Sequence, residues 1–454
     1  MVGAVDRHLA LIGFMGAGKS TLGRELARLT GRSFVDTDEE IEKRFGPIGE
    51  LIERGEPEFR RIEEQVVAEA LAGPTGVIAL GGGAVLSQTT RERLSRTAFV
   101  AWVRVDVDTA WQRVSGSGRP LARDREQFER LYEERVQIYD VIAEGVGEGA
   151  EALLLESLGI VFSGRVPYDA AVIADERVAA LHELQLLRQA LSTHLVPSGE
   201  AAKTPAVVER LWSELGIGRD GWIVAFGGGS TTDVAGFVAA THLRGVRWIA
   251  VPTTLVGMVD AAIGGKTGIN TVDGKNLAGA FHFPQQVFVD ASFLSTLPDE
   301  ERRSGMAEVV KTGLLAGSDL WELPENEMIR ACAAFKSAVV LSDPYEREGR
   351  RAILNLGHTF AHALEAGTGY ELRHGDAVAL GLLAALRLSG RPTDVVEEVL
   401  APQPVSADRN QAWDALLRDK KGQLNLVLLG DGGGFVTPVP EADVRRALDE
   451  LIAD

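Results

Sequence analysis

LALIGFMGAGKSTLGRELARL, residues 9–29, decides the fold of the first part of the chain. It opens on an apolar run suited to a buried strand, breaks into a glycine-rich loop, and continues with apolar residues at helical spacing. Gly13, Gly18, Lys19 and Ser20 fill the GxxxxGK[ST] positions of a phosphate-binding loop, with Gly16 inside it and Thr21 directly after. Glycines there let backbone N–H groups turn onto phosphate oxygens. The lysine supplies a point charge to the β and γ phosphates, and the serine hydroxyl can ligate Mg²⁺. The flanking strand and helix tell against a chance glycine turn.

Around this stretch, 454 residues at roughly 150 per domain ask for two to four domains. Hydrophobic residues make up 45%, charged residues 25%, and the mean hydropathy is +0.02, a globular balance that excludes a largely disordered or fibrous chain. The formal charge of −18 disfavours general adhesion to nucleic acid or to anionic lipid, so a bound phosphate must be met by a local site. Cys332 is the only cysteine, which excludes intrachain disulfides and Cys-rich metal clusters and fits a reducing compartment. Asp6, Arg7 and His8 precede a short apolar stretch unlike a signal peptide, and no apolar run approaches the ~18 residues of a membrane span. The expected location is cytoplasmic.

Buried-strand runs such as LALIGF, GVIALGG, AFVAWVRV, WIVAFGGG, RWIAVPTT and QVFVD alternate with helical stretches, the signature of α/β layering. After about residue 315 helical patterns take over, and LNLVLLGDGGG reads as one late strand and turn. Glycine, at 51 residues, exceeds the usual ~7% and gathers at strand-to-loop junctions. GGG occurs at Gly81–Gly83, Gly227–Gly229 and Gly432–Gly434, but nothing around the triplets repeats. The Gly-rich, acidic stretch around residues 145–165 precedes a fresh strand in YDAAVIA, and the expected units are 1–157 and 158–454.

FVDTDEEIEKRFG puts Asp36 and Asp38 at the end of a second strand, EFRRIEE puts Arg60 at a helix start, and IALGGGAV and SGSGRPLA carry Gly81–Gly83 and Arg119. As plain structure, Asp36 and Asp38 would be a helix cap and a first-turn acid, and Arg119 a solvated loop charge. Across residues 7–145 these strings resemble shikimate kinase. The resemblance implies a P-loop fold of the nucleoside-monophosphate-kinase type using ATP with Mg²⁺. It implies Asp38, Arg60, Gly81, Gly82 and Gly83 on shikimate hydroxyls and carboxylate, Arg135 as another carboxylate contact, Asp36 near the metal or the reacting hydroxyl, and Arg119 on a lid.

WIVAFGGGSTTDVAGF is again strand, glycines and helix, with Gly228, Gly229 and Asp233, although the spacing is not GxGxxG. VPTTLVGMVDAAIGGKTGINTVDGKNLAGAF then packs Thr253, Thr254, Asp260, Lys266, Lys275 and Asn276 into one glycine-rich tract. Glu308 and Lys311 follow, and three of the eight histidines, His358, His362 and His374, fall close together. A spacing of four puts His358 and His362 on one helical face, which by itself suggests that this pair binds a metal, with His374 and an acid completing the site. His242 and His282 read as structural, and Cys332 as inert core.

From about Pro197 to Gly430 the chain is similar to 3-dehydroquinate synthase. The resemblance implies an α/β NAD-binding part over about 158–300 and a mainly α-helical metal and substrate part over about 301–454. It implies Glu308, His358 and His374 on zinc or cobalt, which releases His362 for proton transfer. NAD⁺ is implied at Glu200, Lys203, Gly228, Gly229, Asp233, Thr253, Thr254, Lys275 and Thr296. Substrate is implied at Arg244, Asp260, Lys266, Asn276, Lys311, Lys336, Arg351, Asn355 and His362. The reaction implied is a transient oxidation that acidifies a neighbouring proton, loss of phosphate, return of the hydride, ring opening and an aldol closure.

The strands that normally precede YDAAVIADERV are truncated, and DPYEREGRR is one residue longer than the usual spacing between Lys336 and Arg351, leaving Glu346 and Glu348 as alternatives for an acid there. The expectation is a bifunctional shikimate-pathway enzyme, homodimeric through its C-terminal unit, acting on small molecules and on neither nucleic acid nor membrane. One rival is a cyclase of inosose or valiolone type fused to a cyclitol kinase. Another is a kinase-like unit that binds nucleotide only to regulate the cyclase.

Overall fold

Strands of Leu, Ile, Val and Ala with no polar face must be covered on both sides. In the computed structural model, which describes residues 4–115, 124–163, 166, 169–182, 189–272, 274–420 and 423–453, the chain divides into two compact units, Met1–Gly159 and Ile160–Asp454. The first unit holds a parallel sheet of β1 (His8–Ile12), β2 (Ser33–Asp36), β3 (Gly76–Ala79), β4 (Ala98–Val103) and β5 (Gly145–Gly147), in the order β2-β3-β1-β4-β5. Every residue of β1, β3 and β4 is buried. The chain leaves β1 toward one side of the sheet and later reaches β4 on the other, so the Gly13–Gly18 loop stands at the switch point where ligands of open α/β sheets bind.

The division falls within the Gly-rich stretch around residues 145–165, which supplies regular structure: β5, the helix Ala150–Ser157 and then β6 (Ile160–Val161), an edge strand of the second unit's sheet. Gly147 is a small residue under a packed side chain: a Cβ there would lie 2.6 Å from a Leu153 methyl.

The second unit adds β7 (Ala171–Asp175), β8 (Ser192–Val196), β9 (Trp222–Gly227), β10 (Arg247–Pro252) and β13 (Gln286–Phe288) in the order β6-β13-β10-β9-β7-β8, all parallel. Its switch point lies between β7 and β9, at the C-terminal end of β9 where Gly227–Gly229 begin. A hairpin of β11 (Lys266–Thr271) and β12 (Gly274–Phe281) crosses the glycine-rich tract, a pairing that its polar, half-exposed pattern hides in the sequence. The late strand is likewise a hairpin, β14 (Asn425–Gly430) with β15 (Gly433–Pro438), turning between Gly430 and Gly433.

From Asp299 onward helices dominate: Asp299–Ala316, Glu325–Ser342, His358–Gly367 and His374–Leu388. Val310, Leu356, Phe360, Leu364, Val378 and Leu382 form their common core. The last two helices cross where Gly381 faces the left-handed Gly357 (φ +78°), and a Cβ on Gly381 would collide with the Gly357 carbonyl. Gly381→Ala is therefore expected to cost about 1–3 kcal/mol through overpacking against backbone, read as a lowered unfolding midpoint in denaturant. An unchanged midpoint would show that the crossing can open freely. No helix among the described residues is long and apolar enough to cross a membrane.

Candidate active sites

Three strand ends build the first site. Gly13, Gly16 and Gly18 all have positive φ (+149°, +80° and +89°), conformations that L side chains resist. Lys19 opens the helix Lys19–Thr30 and donates to the Gly13 and Phe14 carbonyls at 2.9 and 3.1 Å. Ser20 Oγ donates to Asp36 Oδ2 at 2.5 Å. The other oxygen of Asp36 caps the helix Thr37–Phe45 by accepting the Asp38 and Glu39 N–H groups, so the capping and the phosphate-loop readings of Asp36 hold together.

β3 runs into Gly81–Gly83, which lies against both neighbours. A Cβ on Gly81 would collide with the Asp38 carboxylate, and one on Gly83 with the Arg60 guanidinium. A Cβ on Gly82 would sit 3.5 Å from the Gly13 carbonyl oxygen, so the phosphate loop and this loop abut. Buried Arg135 and the Tyr139 hydroxyl (2.7 Å) both donate to the Gly82 carbonyl. Arg60 is held by Glu63 at 2.7 Å and Glu56 at 3.2 Å. Burial raises the Glu63 carboxyl against the pull of Arg60. Glu63 and Tyr139 escape a reading by motif, although Glu63 stands one helical turn after Arg60. Arg119 lies outside the described residues.

In the second unit, Gly227 (φ +158°) ends β9, and a Cβ there would sit 2.9 Å from that of Asp175, the last residue of β7. Asp175 accepts the Ser198 hydroxyl at 2.7 Å. Nothing marks it in the sequence except a carboxylate at a strand end. The Thr253 N–H donates to the Gly227 carbonyl at 2.9 Å, and the Thr254 methyl would meet a Cβ on Gly228 at 3.0 Å. The hydroxyls of Thr231 and Thr253 are buried beside these glycines without a hydrogen-bond partner, which suits a ligand rich in acceptor and donor oxygens.

Around this crevice Lys203 donates to Asp233 at 2.6 Å and to Asn276, and Glu200 accepts from Ser230 at 3.2 Å and from Asn270 at 2.7 Å. Thr296 Oγ1 lies 2.9 Å from His182 Nε2, a histidine set edge-on to Phe226 and Phe293. Lys275 points toward the helical part, 3.9 Å from Glu365 Oε2 and 4.7 Å above the Tyr370 ring. Arg244 (φ +68°) and Asn355 are exposed.

The helical part brings Glu308, His358 and His374 together, with one donor atom from each lying within 4.8 Å of the others. Close backbone packing makes this possible: a Cβ on Gly375 would collide with Ser304, one turn before Glu308, while His358 follows Gly357 at the helix crossing. Nε2 of His358 and Nε2 of His374 each lie 3.4 Å from Glu308 Oε1. A tetrahedral ion with bonds of about 2.0 Å requires donors about 3.3 Å apart. Both Glu308 oxygens are buried: Oε2 pairs with the Lys311 ammonium, and Oε1 faces the two histidine nitrogens with no hydrogen bond of its own, which suits a carboxylate that meets a cation there. His358 Nδ1 faces the Leu356 carbonyl at 3.2 Å and His374 Nδ1 faces Glu365 at 3.0 Å, which leaves both Nε2 atoms turned inward. The donor set fits a divalent metal.

Helical spacing is corrected here. His362 is exposed, its ring 5.7 Å from that of His358, and the converging donors come from three helices rather than from one face of one helix.

Beside Glu308 stands a cationic cluster. Lys311 pairs with Glu308 and lies 4.0 Å from Asp260, and Lys336 donates to the Asp260 carboxylate and, at 2.6 Å, to its carbonyl. Burial lowers Lys336 even against Asp260, while for Lys311 the attraction of Asp260 and Glu308 overcomes burial and raises it. Burial opposes the charge on Asp260, but Lys311 and Lys336 hold its carboxyl below the usual range. Buried Arg351 donates to the Gly264 and Pro344 carbonyls at 3.1 and 2.8 Å. Asp343 accepts the N–H groups of Arg347, Glu348 and Arg350, and the loop so shaped sends Glu346 to Lys266 at 2.5 Å and Glu348 to Arg350 at 3.4 Å. Of the two acids, Glu346 is therefore the one at Lys266.

His242 and His282 bond the Ile217 and Val246 carbonyls at 3.3 and 2.8 Å, as structural histidines do. Burial pushes the Cys332 thiol up to about 12, an unreactive thiol.

With this geometry in view, the chain proves 44% identical over 313 residues to a 3-dehydroquinate synthase of Mycobacterium leprae (strain TN), covering 58% of this chain and 86% of that protein. The chain belongs to the 3-dehydroquinate synthase family. The N-terminal and C-terminal models of that family match residues 193–304 and 305–421, and the shikimate kinase model matches residues 15–153. A shikimate kinase and a 3-dehydroquinate synthase, a kinase and a lyase of the shikimate pathway, thus stand in one chain. The synthase part is similar in structure to a 2-deoxy-scyllo-inosose synthase complexed with carbaglucose-6-phosphate, NAD⁺ and Co²⁺. That likeness has a TM-score of 0.56 and 27% identity, covering 63% of this chain and 92% of that one. It is also similar to a 2-epi-5-epi-valiolone synthase from Streptomyces hygroscopicus subsp. jinggangensis 5008 with NAD⁺ and Zn²⁺ bound, with a TM-score of 0.56, 25% identity, and coverage of 64% of this chain and 96% of that one. The higher identity to the dehydroquinate synthase favours that specificity over the inosose and valiolone rivals.

Proposed function

We propose that the first unit transfers the γ-phosphoryl group of ATP to shikimate. In this reading the second converts 3-deoxy-D-arabino-heptulosonate 7-phosphate to 3-dehydroquinate with NAD⁺ and one Zn²⁺ or Co²⁺. One observation carries each half. In the first, the Gly13–Gly18 loop abuts a pocket wall of Asp38, Arg60 and Gly81–Gly83. In the second, a fully buried Glu308 carboxylate, paired with Lys311 through one oxygen, turns the other toward His358 and His374.

In the kinase unit, Gly13, Gly16, Gly18, Lys19, Ser20 and Thr21 hold the nucleotide phosphates, Ser20 with Asp36 places Mg²⁺, and Asp36 lies near the reacting hydroxyl. Asp38 accepts acceptor hydroxyls, Arg60 and Arg135 fork the carboxylate, and Arg119 neutralises charge on the transferring phosphoryl group. Arg60→Ala should raise the KM for shikimate about 10- to 100-fold, the worth of a charge-assisted fork, while the KM for ATP changes little. Initial-rate kinetics with each substrate varied checks this, and the opposite split would assign Arg60 to nucleotide.

In the synthase unit, Glu200, Lys203, Gly228, Gly229, Asp233, Thr253, Thr254, Lys275 and Thr296 hold the dinucleotide, and the buried Thr253 hydroxyl supports this. Glu308, His358 and His374 would hold the metal, which would supply Lewis-acid polarisation of the substrate carbinol, and the bound dinucleotide would supply a reversible hydride acceptor. Arg244, Asp260, Lys266, Asn276, Lys336, Arg351 and Asn355 bind the phosphorylated, carboxylated substrate. Lys311 and Lys266 orient its charged groups, and exposed His362 moves a proton near neutral pH.

The same reading makes the chain a cytoplasmic homodimer associating through the C-terminal unit, where edge strand β8 leaves Leu195 50% exposed. Light scattering on the full chain should give twice the monomer mass, and the monomer mass at assay concentration would contradict it.

A further inference from the structure

Two ligand histidines are oriented by different means. His358 has its Nδ1 on the Leu356 carbonyl at 3.2 Å, a backbone partner that no substitution removes. His374 has its Nδ1 on Glu365 Oε1 at 3.0 Å, a side-chain partner. Glu365 is buried on the His358–Gly367 helix, and its second oxygen lies 3.9 Å from Lys275 Nζ on β12, so its carboxylate is held from both sides. A neutral imidazole has one donor and one acceptor nitrogen, and the partner of one nitrogen decides what the other can ligate. We infer that Glu365 is a positioning residue for the metal. It accepts the Nδ1 proton of His374 and so fixes the tautomer and ring plane that turn Nε2 onto the position shared with Glu308 and His358.

This rests on the reading above that Glu308, His358 and His374 hold the metal. Loss of an outer partner of a ligating histidine costs roughly 10- to 100-fold in metal affinity. No motif of the chemistry names Glu365. It ends the string HTFAHALE.

The test uses the full chain, freed of metal by a chelator and titrated with Co²⁺ alone. Affinity is read by competition with a chromophoric chelator and coordination by visible absorption. Glu365→Ala is expected to bind Co²⁺ about 100-fold more weakly and with an altered visible band. Glu365→Gln, whose amide oxygen still accepts the Nδ1 proton, should fall between this and the parent, about tenfold weaker, and it carries the test if the alanine variant does not fold. Parent affinity and parent spectrum in both Glu365 variants, alongside loss of Co²⁺ in His374→Ala, would overturn the inference and leave the metal site standing. Tight Co²⁺ binding by His374→Ala would instead overturn the ligand reading itself, and the inference with it.

Discussion

Protein carrying His358→Ala is expected to purify without stoichiometric metal and without cyclase activity, whereas His362→Ala keeps its metal and loses most of its turnover. The difference follows from position. His358 Nε2 stands 3.4 Å from a buried, orphaned Glu308 oxygen and points into the donor cluster, while His362 is exposed outside it. Removing one of three protein donors opens the coordination shell. Removing a proton-transfer group leaves the shell closed and typically costs ~10²–10⁴-fold in rate. Metal analysis of both variants after dialysis against a chelator and return of Zn²⁺ or Co²⁺ decides it. Metal lost from His362→Ala but kept in His374→Ala would restore the helical pair as the site.

The second large effect is confined to the other unit. Lys19→Ala should lower shikimate phosphorylation by ~10²–10³-fold or more, because the ammonium over the Gly13–Gly18 loop is a preorganised charge for the transferring phosphoryl group. Cyclisation should be nearly untouched, since Met1–Gly159 and Ile160–Asp454 are separately compact, each with its own sheet. Parallel assays of the two reactions on the same preparation check this. Equal loss in both would show that the units do not act independently. The regulatory rival predicts ATP binding without shikimate phosphorylation in the parent protein as well.

How much of this was legible in the sequence depended on whether the chemistry needed a contiguous string. The phosphate loop did: positive φ at Gly13, Gly16 and Gly18, followed by Lys19 and Ser20, is local geometry written in adjacent residues. The parallel sheets were legible for the same reason, since apolar runs such as AFVAWV bury every side chain. The metal-type cluster was not local. Periodicity pairs His358 with His362, but the converging donors depend on the Gly357–Gly381 crossing and on Gly375 packing against Ser304, contacts that spacing along one helix cannot express. Clustering offered His374 only as a third ligand beside that pair, and the family resemblance set it with Glu308 and His358 instead. Glu63, Asp175 and Glu365 were missed because each acts through a neighbour's side chain or a loop glycine rather than as part of a motif. The β11–β12 hairpin and the return strand β15 were missed because these strands are polar or glycine-rich and half exposed.

The central claim is that one chain holds two working active sites, and one preparation tests it most directly. Purified full-length protein, loaded with Zn²⁺ or Co²⁺ and NAD⁺, is assayed in parallel for dehydroquinate formation and for ATP- and Mg²⁺-dependent formation of shikimate 3-phosphate. Both products should form, the first abolished by His358→Ala alone and the second by Lys19→Ala alone. No shikimate 3-phosphate at saturating ATP, Mg²⁺ and shikimate, while dehydroquinate still forms, would contradict the account.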